Sequence, residues 1–261
     1  MKNRSLLLAM SSALLLPFGL QAYDCKYSKD IDQSLDLTNS TELTVQAVAG
    51  DLRIRGVSGS NEARIRGKVC ASKEEWLSES RVDTANGQHA EIMVVLPEND
   101  GGWSMMGNTY IYLDLELDVP NQVALNVRDS SGDIEITGVG AVAVEDSSGD
   151  IDIEDSTGPV TVRDSSGDIE LNDIKHQVTI ESDSSGDIRG SDIEGTVLVI
   201  SDSSGDISFR DVGEDFIVER DSSGDISANR VGGDFRVERD GSGEIDASNV
   251  EGEVDIPDDR S

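Results

Sequence analysis

Carboxylates spaced in pairs are the groups in this chain best able to do chemistry. The motif Asp-Ser-Ser-Gly-Asp-Ile begins at Asp129, Asp146, Asp164, Asp183, Asp202 and Asp221, and a worn copy, Asp-Gly-Ser-Gly-Glu-Ile, begins at Asp240. Each copy carries a second acid four residues on: Asp133, Asp150, Asp168, Asp187, Asp206 and Asp225, continued by Glu244. If successive copies stack, the acids form two columns. Like charges about 4.8 Å apart repel by roughly 1 kcal/mol in bulk water and more at a protein surface. Hard cations relieve such repulsion, and carboxylates, Ser hydroxyls and turn carbonyls are oxygen ligands of the kind calcium takes. The twelve aspartates of the six full motifs are therefore candidate calcium ligands. The opposing expectation is that Asp and Ser serve only the turn. The pattern is neither an EF-hand loop nor a Gly-Gly-x-Gly-x-Asp repeat.

The elements that must position these acids follow from the spacing. The motif recurs at steps of 17, 18, 19, 19, 19 and 19 residues, a period typical of a solenoid. The copies share an inward pattern: Ile207, Phe209, Val212, Phe216 and Val218 in one, Ile226, Ala228, Val231, Phe235 and Val237 in the next. Two short period-2 runs per unit predict two strands per coil. Each motif supplies a turn, with Gly free to take positive φ. The expected fold is all-β, a parallel β-solenoid of about seven coils over 123–256. Antiparallel hairpins with a motif at each tip are the competing topology.

Residues 23–122 read as a β-rich N-terminal cap and 257–261 as a polar tail. Strands are expected at 41–48 and 51–57 around an Ala49-Gly50 turn, at 62–70, at 87–96 and at 109–119, and a helix at 73–80. In 109–119, Ile111, Leu113, Leu115, Leu117 and Val119 alternate with polar or aromatic residues, the mark of a half-buried strand.

Residues 1–22 read as an export signal: Lys2 and Arg4, an apolar stretch over 6–16, and a small-residue site at Ala22. A membrane anchor is the alternative, but a span needs about 20 apolar residues. No lipid-attachment box precedes Cys25, and no second spanning segment follows. The expected product is exported, to the periplasm, the cell surface or the medium. Cys25 and Cys70 are then expected to form a disulfide, with two free thiols as the alternative. The net charge of −32 makes nucleic acid an implausible partner and leaves cations, basic proteins and neutral surfaces. An unidentified envelope or extracellular partner is expected.

The Gly-Asp-Ile-x-Ile and Val-x-Val alternation, the recurring Ser-Gly-Asp, the run from Ala49 to Ile54 and the Leu-Asp-Val-Pro of 117–120 resemble the bacterial exported β-strand-repeat "putative adhesin" family, a domain of unknown function. The likeness spans roughly residues 41–256. It implies an exported β-solenoid with an adhesin-like role and carries over no catalytic residues.

An enzyme reading, a polysaccharide-active β-helix, is disfavoured because catalysis needs one irregular site and these acids recur in every coil. His89 and His176 have no triad partner by spacing, and aromatics are 4% of the chain, too few for sugar-stacking platforms. Ice binding is disfavoured by the missing Thr-x-Thr ladder. One irregular segment, 99–108, holds Trp103, Met105 and Met106, either as a contact loop or as a lid on the first coil. Arg128, Arg163, Arg220 and Arg239 each precede a motif and are expected to offset the columns. Together these features point to a non-enzymatic structural or adhesin-like protein of the cell envelope, with calcium binding as the alternative.

Overall fold

A computed structural model describes residues 25–98 and 109–257. Within them lie two sheets of eleven strands each, packed face to face. In every repeat one short strand joins one sheet, the motif turns the chain, and the next strand joins the other. Val160–Arg163 leads through Asp164 into Ile169–Ile174, for example. All pairings between repeats are parallel. This is the solenoid and not the hairpin array. The periodic inward pattern decides it, because only stacked coils place Ile151, Ile169, Ile188, Ile207 and Ile226 in one line between the sheets.

Those aliphatics are at most 1% exposed and belong to one continuous core. Packing adapts locally where the repeat varies. Gly190 stands where its neighbouring coils carry Leu171 and Phe209, and a Cβ there would lie 2.3 Å from the Phe209 ring. The small residue makes room for the large one. Phe209, Phe216 and Phe235 then stack with ring centroids 5.1 and 5.3 Å apart.

The N-terminal elements are β1 (Tyr27–Asp36), β2 (Glu42–Gln46), β3 (Leu52–Val57), β4 (Glu62–Ala71), helix α1 (Trp76–Glu79), β5 (Arg81–Ala85), β6 (His89–Val95) and β7 (Ile111–Pro120). β2 and β3 form a full rung of the parallel stack. β2 pairs with Ala124–Arg128 on one side and β6 on the other, and β3 pairs with Ile134–Thr137 and β7. The rung built from β6 and β7 is thus separated from the first repeat by an earlier piece of chain. Ala49-Gly50-Asp51-Leu52 acts as a motif copy without its serines.

Beyond β7 the stack changes character. β4 and β1 add antiparallel to one sheet and β5 to the other. The sequence pattern does not predict β1 or β5. The expected helix shrinks to one turn, held by the Ser80 N–H and hydroxyl donating to the Trp76 carbonyl. Cys25 and Cys70 form a disulfide with Cα atoms 5.2 Å apart, tying the chain ahead of β1 to β4.

Candidate functional site

Each residue of the motif has a distinct structural task. In Asp129, Asp146 and Asp164 the side-chain period places the first Asp inward, two positions after buried Val127, Val144 and Val162. Asp183, Asp202 and Asp221 instead follow Ile180, Val199 and Val218 by three, the extra residue being taken up at a register shift such as that after Val162 and Ile180. Asp146, Asp164, Asp183, Asp202 and Asp221 are 1–3% exposed, and Asp129 is 6% exposed. Each inner aspartate donates its N–H to the neighbouring rung, as Asp202 does to the Arg220 carbonyl at 2.9 Å. The carbonyl of the first Ser accepts the hydroxyl of the second Ser one rung on, as Ser184 does from Ser204 at 3.0 Å and Ser203 from Ser223 at 3.1 Å.

The Gly of each full motif has φ between 126° and 142°. A Cβ on Gly205 would lie 1.7 Å from the Gly186 carbonyl oxygen. Only glycine lets the turns stack this closely. The second Asp acts through its side chain. Oδ1 of Asp133, Asp150, Asp168, Asp187, Asp206 and Asp225 accepts the N–H of the corresponding acid on the next rung, at 2.8–3.2 Å. Asp114 does the same for Asp51 in the N-terminal rungs, at 3.2 Å. The motif Ile enters the core.

The two acids of one turn thus sit in opposite environments, and in the turn of Asp164 and Asp168 their proton affinities diverge, Asp164 being pushed up by burial. Burial, with the like charges of Asp129 and Asp164 adding, pushes the Asp146 carboxyl up to about 6. Burial, with Asp164 adding, pushes Asp183 to about 6, and burial, with Asp183 and Asp221 adding, pushes Asp202 to about 7. The outer Asp168 is instead held below the usual carboxylate range, first by the Asp187 N–H and then by Arg189. A carboxylate is stabilised by hydrogen bonds and destabilised by loss of water, and Asp164 and Asp168 separate those effects.

The twelve candidate calcium ligands are therefore two columns of unlike character, one sealed in the corner and one in or near solvent. Among the described residues no three His, Cys, Asp or Glu side chains gather into a metal-holding group. The arginines ahead of the motifs do not offset the inner column. Arg128 pairs with Glu145 at 3.4 Å, Arg163 with Glu181 at 2.6 Å, and Arg220 donates to the Ser201 hydroxyl at 3.4 Å. Arg239 is exposed. Arg128 and Arg163 face outward because Val127 and Val162 before them, and Asp129 and Asp164 after them, point in. His89 and His176 are exposed, and His89 lies 3.5 Å from Glu42. Trp103, Met105 and Met106 lie outside the described residues.

A further column has no counterpart among the sequence expectations. At the corner that takes the chain away from the sheet holding Ile169–Ile174, the residues Asp155, Asp173, Asp192, Asp211, Arg230 and Asn249 have φ of 56–60°. Asp and Asn tolerate this left-handed conformation better than other side-chain-bearing residues, so their recurrence at that position was the available signal. On the outer face of the same sheet, Asp51, Arg53, Asp133, Glu135, Asp150 and Asp152 line a shallow, open depression.

Residues 73–260 match the family described as Toastrack DUF4097. The chain belongs to that family. Solved structures similar to this Toastrack chain include a "putative lipid binding protein" from Parabacteroides distasonis, at 18% identity and TM-score 0.49, covering 86% of this chain and 96% of that one. A "putative adhesin" from Bacteroides fragilis is similar at 11% identity and TM-score 0.46, covering 88% and 97%. A "putative cell adhesion protein" from Clostridium sporogenes is similar at 13% identity and TM-score 0.35, covering 88% and 99%. No curated protein matches the chain.

Proposed function

We propose that this Toastrack chain is an exported, acidic β-solenoid with a structural or adhesin-like binding role at the cell envelope. The supporting observation is that the first Asp N–H, the serines, the Gly and the second Asp of the recurring motif are engaged in holding one turn to the next. The acids that could have done chemistry are a buried column and a row of backbone acceptors, an arrangement that builds a long regular surface. Catalysis would need one turn to differ from the rest. The Cys25–Cys70 disulfide supports an oxidising compartment. No helix among the described residues is long and apolar enough to cross a membrane.

The test is fractionation of cells producing the tagged chain, followed by binding of the purified protein to washed envelopes and to host-type surfaces. Recovery from envelope or medium with saturable binding is expected. Recovery from the cytosol alone, or turnover on polysaccharides that a single Asp substitution abolishes, would overturn the reading.

A further inference from the structure

The inner aspartates present an unusual inventory of oxygens. In Asp129, Asp146 and Asp164 neither buried carboxyl oxygen has a hydrogen-bond partner of good geometry, the N–H groups of the two following serines lying near enough only to offset part of the cost. In Asp183, Asp202 and Asp221 Oδ2 has none. A buried carboxylate oxygen without a donor is costly. Six such side chains in one column, one rung apart, would be prohibitive if all were charged. Oδ1 shows how the remainder is managed: in Asp183 and Asp202 it accepts the N–H of the following serine at 2.7 Å, and in Asp221 that of Ser223 at 3.2 Å. In these three turns the backbone supplies donors for one oxygen only.

The groups around the column offer no cation. Along it each aspartate faces the aspartates above and below. Asp51 lies beside Asp129, Asp150 beside Asp164 and Asp168 beside Asp183, all of them acids. Ala47 occupies the equivalent position on the β2–β3 rung and ends the column there. On the strands entering and leaving the Asp202 turn, the inward neighbours are Val199 and Ile207, both fully buried. Arg128, Arg163 and Arg220 are engaged on the outer face. Calcium would want six to eight oxygens, which an apolar corner with one carboxyl per rung does not offer. A proton needs two oxygens, and neighbouring rungs supply them: Oδ2 of Asp202 and Oδ2 of Asp221, one rung apart, are both without a donor.

We propose that the inner aspartate column is a proton-binding ladder, in which a carboxyl on one rung donates its O–H to a carboxylate oxygen on the next. Each bound proton removes one buried charge and supplies the missing donor for a neighbour, so proton uptake locks adjacent rungs together. The sign follows from linkage: the folded state holds these protons at pH values where the unfolded chain has released them, so it gains on the acid side. That stability is present near the ordinary carboxylate range and is lost as pH rises through about 6 to 7. Far below that range Asp168 is protonated and its acceptor for the Asp187 N–H weakens. The solenoid is therefore firmest in mild acid.

The direct test is infrared spectroscopy of the full chain between about pH 5 and 8, the range that brackets the raised carboxyls. A protonated-carboxyl C=O band that persists at neutral pH and weakens in Asp183→Asn/Asp202→Asn is expected. Thermal melts provide the second arm. Wild type should melt several degrees higher at the acid end of that range than at the alkaline end. Asp202→Asn, which keeps the shape and carries a permanent donor, should raise the alkaline melt and flatten the pH dependence. Glu238→Gln, an exposed charge near the same end of the stack, should leave that dependence unchanged. Absence of the band at neutral pH would overturn the proposal. So would equal flattening by Glu238→Gln, which would make the effect one of general charge. A melt raised by calcium in wild type but not in Asp202→Asn would also overturn it, in favour of a metal column.

Discussion

The two ends of the stack are built on different principles. From residue 123 onward one interface is copied, and each rung meets its neighbours through the same serine hydroxyl, aspartate acceptor and glycine contact. Between residues 25 and 120 the copied interface reaches only through the rungs of β2, β3, β6 and β7, and β1, β4 and β5 are added by pairings that do not repeat it. Antiparallel strands, a disulfide and cross-strand ion pairs take over: Arg55 with Asp118 at 3.0 Å, and Arg66 with Glu116 at 3.5 Å and Asp118 at 3.1 Å. A copied interface tolerates no misfit in its shared parts, because an error is felt by the rungs on both sides. A heterogeneous one spreads its stability over unlike contacts, and losing one leaves the others. Individually these surface ion pairs contribute little.

Four substitutions probe that contrast, in decreasing order of expected effect. Gly205→Val places a side chain against the Gly186 carbonyl and demands a disfavoured φ; a loss above about 4 kcal/mol is expected, with the β-signal by circular dichroism reduced. If the variant melts like wild type, the close stacking of turns is wrong. Phe216→Ala hollows the centre of the aromatic stack and should cost about 3–5 kcal/mol in urea unfolding. A cost well below that range would show that the repeat core is looser than its burial implies.

The paired change Cys25→Ser/Cys70→Ser tests the other end and should cost about 2–4 kcal/mol. Limited proteolysis should then release β1 while the repeat persists; simultaneous loss of both would abolish the distinction between the ends. Asp206→Ala removes the acceptor for the Asp225 N–H and should cost about 1 kcal/mol, whereas Asp206→Asn, which retains an oxygen acceptor, should cost less. Hydrogen exchange at the Asp225 amide separates the two.

The repeat was legible because its apolar residues recur with both the strand period and the coil period, and no hairpin array requires that. Less legible was which of the two motif aspartates is buried. Val127 and Asp129 are two apart on one strand path, so the alternation pointed inward, but charged residues are ordinarily solvated and the motif read as a water-facing turn. β1 was hidden by its composition, with Ile31 and Leu35 its only aliphatic residues over ten positions. The placement of β2 and β3 was hidden for a different reason: strand neighbours in a stack are set by distant chain, and their motif copy lacks the serines that flagged the others. Among the site expectations, the paired cysteines could be read from count and compartment, while the divergent chemistry of the two acid columns emerged only when the rungs were stacked.

The insertion of β2 and β3 between later rungs has a consequence for assembly. A chain made from its N-terminus presents this rung with both edges open, and neither can close until residues well downstream arrive: 89–120 for one side and 124–137 for the other. The early rung is a keystone set before its arch. That rung has both its neighbours only after the chain has been made as far as Thr137.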